Sequence, residues 1–207
     1  MIDIVREPVL HPVAIADLRP TQITVGMREV QDKRERLRKH PPKKIGTFLG
    51  SHMIPVVRGP KDRMYVIDHH HLALALHREG VGDILVTVVA DLSKLDIDAF
   101  WTVLDHHSWV HPYDAVGRRR TVRDIPKSLA GLKDDPFRSL AGELRRTGGF
   151  AKETTPFVEF LWADFLRRRM KRKLVEKKFR AAVAEALKLA KSQDAHYLPG
   201  WCGPSDG

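Results

Sequence analysis

Apolar and polar positions change rhythm midway along the chain, and the first half alternates between strand-like and helix-like patterns. Residues 9–15, "VLHPVAI", form a short apolar run closed by "DLRPTQ", where Pro20 opposes helix continuation. "MREVQDKRERLRK" (27–39) puts Val30 and Leu37 on one side of a helix and charges on the rest. "HPPKK" breaks that pattern. "MIPVVRG" (53–59) and "RMYVID" (63–68) then read as two strands joined by "GPKD", a turn with Gly and Pro where a hairpin needs them. "HLALALHREG" is a short helix stopped by Gly80 at a C-terminal cap position. "DILVTVVADLS" (83–93) is the strongest strand of the chain and ends in a cap at Asp91 or Ser93. Strand, helix, strand, strand, helix, strand is the order of a small α/β unit.

The second half is helical and loop-rich. "KLDIDAFWTVLDHHSW" reads as helix, and "VHPYDAVGRRRTVRDIPKSLAGLKDDP" is punctuated by Pro112, Gly117, Pro126, Gly131 and Pro136. Residues 156–192 predict one long helix or two consecutive ones, with Pro156 suited to the first turn. Phe157, Phe160, Leu161 and Phe165 follow helical spacing, and Leu174, Phe179, Val183 and Leu187 continue it. "YLPGWCGPSDG" reads as a turn-like, frayed tail. The predicted organisation is an α/β core over 1–95, a helical extension packed on it over 96–192, and a tail over 193–207.

Composition narrows the class. A hydrophobic fraction of 43% and a charged fraction of 30% in 207 residues suit a soluble globular protein. No apolar run approaches the roughly 18 residues that span a bilayer, and the N-terminus lacks a signal-peptide layout. The single cysteine, Cys202, excludes an internal disulfide framework and a zinc site built on several thiolates. These features predict a cytoplasmic protein without a membrane partner. The net charge of +10, from 36 basic and 26 acidic residues, favours an anionic partner.

The densest chemistry lies in "YVIDHHHLALALHREG" (65–80), between a strand and a helix. Asp68 is placed to cap the helix by accepting from the N–H of His70 or His71. The N–H groups of the first turn and the positive end of the helix dipole form an anion site, to which His69, His70 and His71 would add donors. A metal reading is weaker, because adjacent residues on a helix face different ways. It would need "LDHHSWVH", with Asp105, His106, His107 and His111, to complete the ligand set, and no metal site is assigned. The plainest reading makes one histidine a buried, hydrogen-bonded residue at the helix start, with the others facing water.

The stretch "MIPVVRG…RMYVIDHHHLALALHREGVGDILVTVVADL" resembles the core of the ParB/sulfiredoxin superfamily. The flanking "PTQITVGMREV", "DDPFRSLAGELRR" and "TPFVEFLWADFLR" resemble its bacterial ParB-like nuclease branch, so the likeness runs over roughly residues 8–170. It implies an α/β fold with a small mixed sheet and helices, followed by a helical C-terminal extension. It also implies that the turn binds phosphate: CTP in partition proteins, ATP in sulfiredoxin, ADP in free-serine kinases. The kinase pattern "DGHHR" aligns its Asp and two His with Asp68, His70 and His71. His69 then stands at the Gly and Leu72 at the Arg, whose phosphate clamp Arg28, Arg58 or Arg138 would have to replace. The attacking cysteine of sulfiredoxin is absent, and the compact helix-turn-helix of partition proteins is not visible.

Catalytic candidates are Glu29, Asp68 and His70, with Glu29 as general base by resemblance to the kinases. A charge favouring a helix N-terminus is the plainer role for Glu29. Asp134 and Asp135 are candidates for capping the helix through "RSLAGELRR" or for holding Mg²⁺. Trp101 and Trp109 are pocket or core residues. Arg167, Arg168, Arg169, Lys171, Arg172 and Lys173 lie in a basic run that is a solvated face or a nucleic-acid contact. The functional expectation is a nucleotide or a phosphate-bearing small molecule bound at the turn. The candidate cofactor is Mg²⁺ accompanying the nucleotide, and the chemistry is that of a nuclease, nucleotide hydrolase or kinase. The alternative is a non-catalytic DNA-binding or regulatory protein that uses the basic C-terminal helix.

Overall fold

The computed structural model describes residues 10–39 and 53–204, and the break expected at "HPPKK" lies outside them. The strands are β1 (Leu10–Ala14), β2 (Arg19–Pro20), β3 (Thr24–Val25), β4 (Ile54–Gly59), β5 (Arg63–Val66), β6 (Asp83–Asp91) and β7 (Lys133–Asp134). The α-helices among these residues are α1 (Met27–Lys39), α2 (His70–Arg78), α3 (Ile97–His106), α4 (Pro136–Arg146), α5 (Val158–Arg169), α6 (Arg172–Lys177) and α7 (Phe179–Lys191). The class is mixed α/β, as expected. The chain forms two compact units, Met1–Ile23, Val30–Pro112 and Arg120–Leu132 in one, Thr24–Glu29, Tyr113–Arg119 and Lys133–Gly207 in the other. The division differs from a cut at residue 95. Helix α3 counts with the sheet and Thr24–Glu29 with the C-terminal helices.

The first unit is built on a five-stranded mixed sheet in the order β1-β6-β4-β5-β2. β1 runs antiparallel to β6 and β5 antiparallel to β4, whereas β4–β6 and β2–β5 are parallel. The central strand β4 buries both Val56 and Val57, although successive side chains of a strand face opposite ways. A register shift against β6 falls between these two residues, and a bulge of this kind re-aims the following side chains. Val57, Tyr65, Phe100 and Leu104 share one core cluster, which is why α3 belongs with the sheet. Gly59 is required by close approach, since a Cβ there would stand 2.7 Å from the Phe100 and Tyr65 rings. Helix α3 starts where Asp96 accepts from the N–H groups of Asp98 and Ala99. Asp91, at the end of β6, accepts from the Ser93 N–H instead of starting a helix.

Helix α2 is the apolar segment expected after residue 69, and Leu72 to Leu76 are all buried. Gly80, at φ 72°, ends it in a Schellman motif, with Val81 N–H donating to the Leu76 carbonyl and Gly80 N–H to that of His77. Arg34 and Arg38 of α1 bond Glu79 at 2.6 and 2.7 Å, tying α1 to the end of α2.

The second unit packs α4 to α7 around Trp162, Phe165, Leu140 and Leu144, with Phe150 stacked on Trp162 at 4.5 Å between centroids. Ala182, Ala186 and Ala190 recur every fourth residue and give α7 a small buried face. Residues 156–192 differ from the expected one or two helices. The buried Met170 adopts extended backbone between α5 and α6, and Lys178 separates α6 from α7. Burial of Met170 overrides the high helix propensity of the surrounding run. Pro156 precedes the first turn of α5, because Phe157 takes the N-cap position at φ 58°. Residues 193–204 are not frayed. Ala195 and Leu198 are buried, and the Trp162 indole N–H donates to the Pro199 carbonyl at 2.9 Å. Among the described residues no helix is long and apolar enough to cross a membrane.

Candidate functional site

The strand-to-helix turn begins where β5 ends at Val66. Asp68 does not cap α2. Its Oδ1 accepts from the N–H of the next residue, His69, at 2.6 Å, and the N-cap position is His69, with no side-chain cap bond. His69 adopts the left-handed conformation at φ 64°. Its place matches the Gly of the kinase-type pattern, and a left-handed position is one that Gly fills without steric cost. The first turn of α2 contains no acidic residue, so no carboxylate of its own competes for the helix's positive end.

The three histidines separate in role. The His69 side chain is 44% exposed, with Nε2 3.9 Å from Asp68 Oδ2. His70 is buried, and its Nε2 accepts from the Thr21 backbone N–H at 3.1 Å. Thr21 Oγ1 donates to the Val66 carbonyl at 2.8 Å, closing β2 onto β5 beside the same ring. Burial, reinforced by His71, lowers the His70 pKa to about 3, against the opposing pull of Asp68 and the Val66 carbonyl. His70 is therefore a neutral imidazole whose Nε2 lone pair is already used. The plain reading of one histidine fits this residue. His71 is buried as well. Thr21 is a partner that sequence reasoning missed, since its contribution is a backbone N–H, which no residue type announces.

Glu29 lies in the first turn of α1 and belongs to the second unit, whereas Asp68–His71 belong to the first. Its Oε2 is 3.4 Å from Arg138 Nη1, and Arg138 Nη2 is 3.9 Å from Glu159, which Arg145 approaches to 2.6 Å. The guanidinium of Arg138 is thus shared between two glutamates of the same unit, an arrangement suited to holding α4 against α5 and Glu29. Glu159 and Arg145 had no sequence signal beyond ordinary helical charge. Asp134 Oδ1 accepts from the Met27 N–H at the start of α1, and Asp135 accepts from Phe137 N–H at the start of α4. Both aspartates of "KDDP" are helix caps.

The remaining cations are largely tied to neighbours. Arg28 lies over the Phe179 ring at 4.1 Å. Arg58 sits 3.1 Å from Asp62 and 3.5 Å from Asp91. Arg167 reaches the buried Asp135 at 2.6 Å and Asp164 at 3.3 Å; burial pushes the Asp135 carboxyl up and Arg167 opposes that shift. Arg168 pairs with Asp164, Arg169 covers Phe165, and Arg172 pairs with Glu176. Lys171, Arg172 and Lys173 are exposed. Among the described residues no three His, Cys, Asp or Glu side chains converge as a metal site. Asp105, His106 and His107 thus form no such site with the turn, and His107 stacks on Trp109 at 4.3 Å instead.

The protein Atu1540 from Agrobacterium tumefaciens, known from its crystal structure, is 56% identical to this chain. The alignment covers 96% of this chain and 99% of that one, with a TM-score of 0.91. A conserved hypothetical protein from Pyrococcus furiosus aligns at 18% identity over 44% of this chain and 35% of its own, with a TM-score of 0.30. The C-terminally truncated chromosome-partitioning protein ParB from Caulobacter crescentus, complexed with CTP-gamma-S, aligns at 12% identity over 90% of this chain and 94% of its own, with a TM-score of 0.33. These last two superimpose too loosely to bear on the site. No functionally curated protein matches the chain. The family model described as "Putative ParB-like nuclease" matches residues 11–168, and with it the chain belongs to that family.

Proposed function

We propose that the protein binds a phosphate group of a nucleotide or nucleic acid at the Asp68–His71 turn, and that phosphodiester hydrolysis is its reaction. The observation that carries this reading is the left-handed His69 leading directly into a nine-residue helix with no acid in its first turn. That backbone aims first-turn N–H groups at one point, where an anion gains from both hydrogen bonds and the helix dipole. Membership of a family described as nuclease-like supports the choice of reaction, and resemblance to the phosphate-binding turn of the superfamily supports the ligand class.

The roles differ from those expected at first. His70 supports the turn from below through Thr21, so the donors on offer are the backbone N–H groups and the exposed His69 imidazole. Among the described residues no three metal-binding side chains converge, so a Mg²⁺ accompanying the nucleotide would be held mainly by its phosphates, with Asp68 as the nearby carboxylate.

The test is a matched pair, His69→Asp and His69→Asn. Both residues tolerate a left-handed backbone, so both variants fold. His69→Asp places a carboxylate at the phosphate position, and nucleotide affinity should fall by about tenfold or more relative to His69→Asn. Equal affinity in the two variants would remove the turn as the phosphate site.

A further inference from the structure

The first unit contains a cavity of about 190 Å³ that none of Asp68, His69, His70 and His71 lines. Arg19, Arg63, Arg123 and Lys127 bring four cations to its wall, and Tyr65 and Trp101 bring two rings. No Asp or Glu lines it, and among the described residues none of these cations is paired with a carboxylate. In the same unit Arg34, Arg38 and Arg58 are matched with acids.

The placement follows from the sheet. Arg63 and Tyr65 are two residues apart on β5 and so face the same side. Arg19 is the register partner of Tyr65 across the parallel β2–β5 pair. Tyr65 is fixed by burial, with Phe100 at 4.6 Å and Trp101 edge-on at 5.6 Å between centroids. Trp101 remains partly exposed, which leaves it surface to offer a ligand.

We propose that this cavity is a second binding site, for a nucleoside phosphate unit whose ring packs against Trp101 and whose phosphate is held by the arginines. Like charges gathered around a cavity repel one another, and an anion entering it turns that repulsion into attraction. Arginine is suited to this task because its planar fork meets phosphate with two parallel donors. Stacking on an aromatic wall accepts any base, so the site reads the class of ligand and not its sequence. In this arrangement the phosphate sits at the cationic rim. The site stands apart from the turn and does not depend on it.

The experiment is calorimetric titration of the full chain with AMP, adenosine, inorganic phosphate and a short oligo(dT). It is run on the wild type, on Arg63→Glu/Arg123→Glu and on Trp101→Leu. The titrations are repeated in the His69→Asp background, so that binding at the turn does not mask the cavity. Arg63 and Arg123 are exposed, so the double variant should keep the wild-type melting temperature. It decides the matter if Trp101→Leu fails to fold. AMP or oligo(dT) should bind about tenfold more tightly than adenosine or phosphate alone, and the double variant should lose about tenfold in affinity. Tight oligo(dT) with weak AMP assigns the source to a single strand, and the reverse assigns it to free nucleotide. Binding of neither probe, affinity unchanged in the double variant, or phosphate binding as tightly as AMP would overturn the proposal.

Discussion

His70 gives its Nε2 lone pair to the Thr21 N–H, and that bond ties the residue following β2 to the start of α2. A buried N–H that loses its partner costs about 1–3 kcal/mol, and truncating the ring adds a cavity. His70→Ala should therefore lower unfolding free energy by about 3 kcal/mol in a urea titration, whereas His70→Gln, which can still accept, should lose less. The low pKa adds a pH signature. The unfolded imidazole takes up a proton near pH 6.5, while the folded one, at about 3, does not. The contribution is thus fully present above the unfolded value and is lost as the pH falls from there towards the folded value. The slope is about 1.4 kcal/mol per pH unit. The difference in stability between wild type and His70→Gln should shrink or change sign as the pH falls through this window. A difference independent of pH would show that His70 is not held neutral.

At the scale of elements, local pattern carried the β4–β5 hairpin, α1 with Val30 and Leu37 buried, and the Gly80 stop of α2. Each of these is decided by residues close in sequence. The two-residue strands β2, β3 and β7 were not legible, because their pairing depends on partners such as Tyr65 and Lys133 that lie far along the chain. The turn was legible as a place and not in its detail. A sequence shows three histidines but not which one is turned inward, and it does not show that Asp68 bonds its own neighbour. Within the basic run, sequence does not show that Arg167 is committed to the buried Asp135. Removing one member of such a pair leaves an uncompensated charge, which costs about 3–5 kcal/mol. Asp135→Ala also loses the cap of α4, so it should unfold the second unit at markedly lower temperature in a calorimetric scan. Asp134→Ala, on an exposed cap, should cost only about 1 kcal/mol. Similar losses for the two variants would contradict a buried role for Asp135.

For the whole molecule, the net charge of +10 favours an anionic partner without identifying one. Lys171, Arg172 and Lys173 are exposed, whereas Arg167 to Arg169 are occupied by Asp135, Asp164, Asp194 and the Phe165 ring. If DNA binds this face, the affinity should fall with salt at a slope near 0.9 per phosphate neutralised, and Lys171→Gln/Lys173→Gln should flatten that slope. A slope unchanged by the double variant would move the contact elsewhere. The central claim, phosphate at the Asp68–His71 turn, is tested most directly by amide NMR of the full chain titrated with ADP. The account predicts saturable shifts of the His70, His71 and Leu72 backbone amides that persist in Arg63→Glu/Arg123→Glu and disappear in His69→Asp. Saturable ADP binding that leaves those three amides unmoved would contradict it.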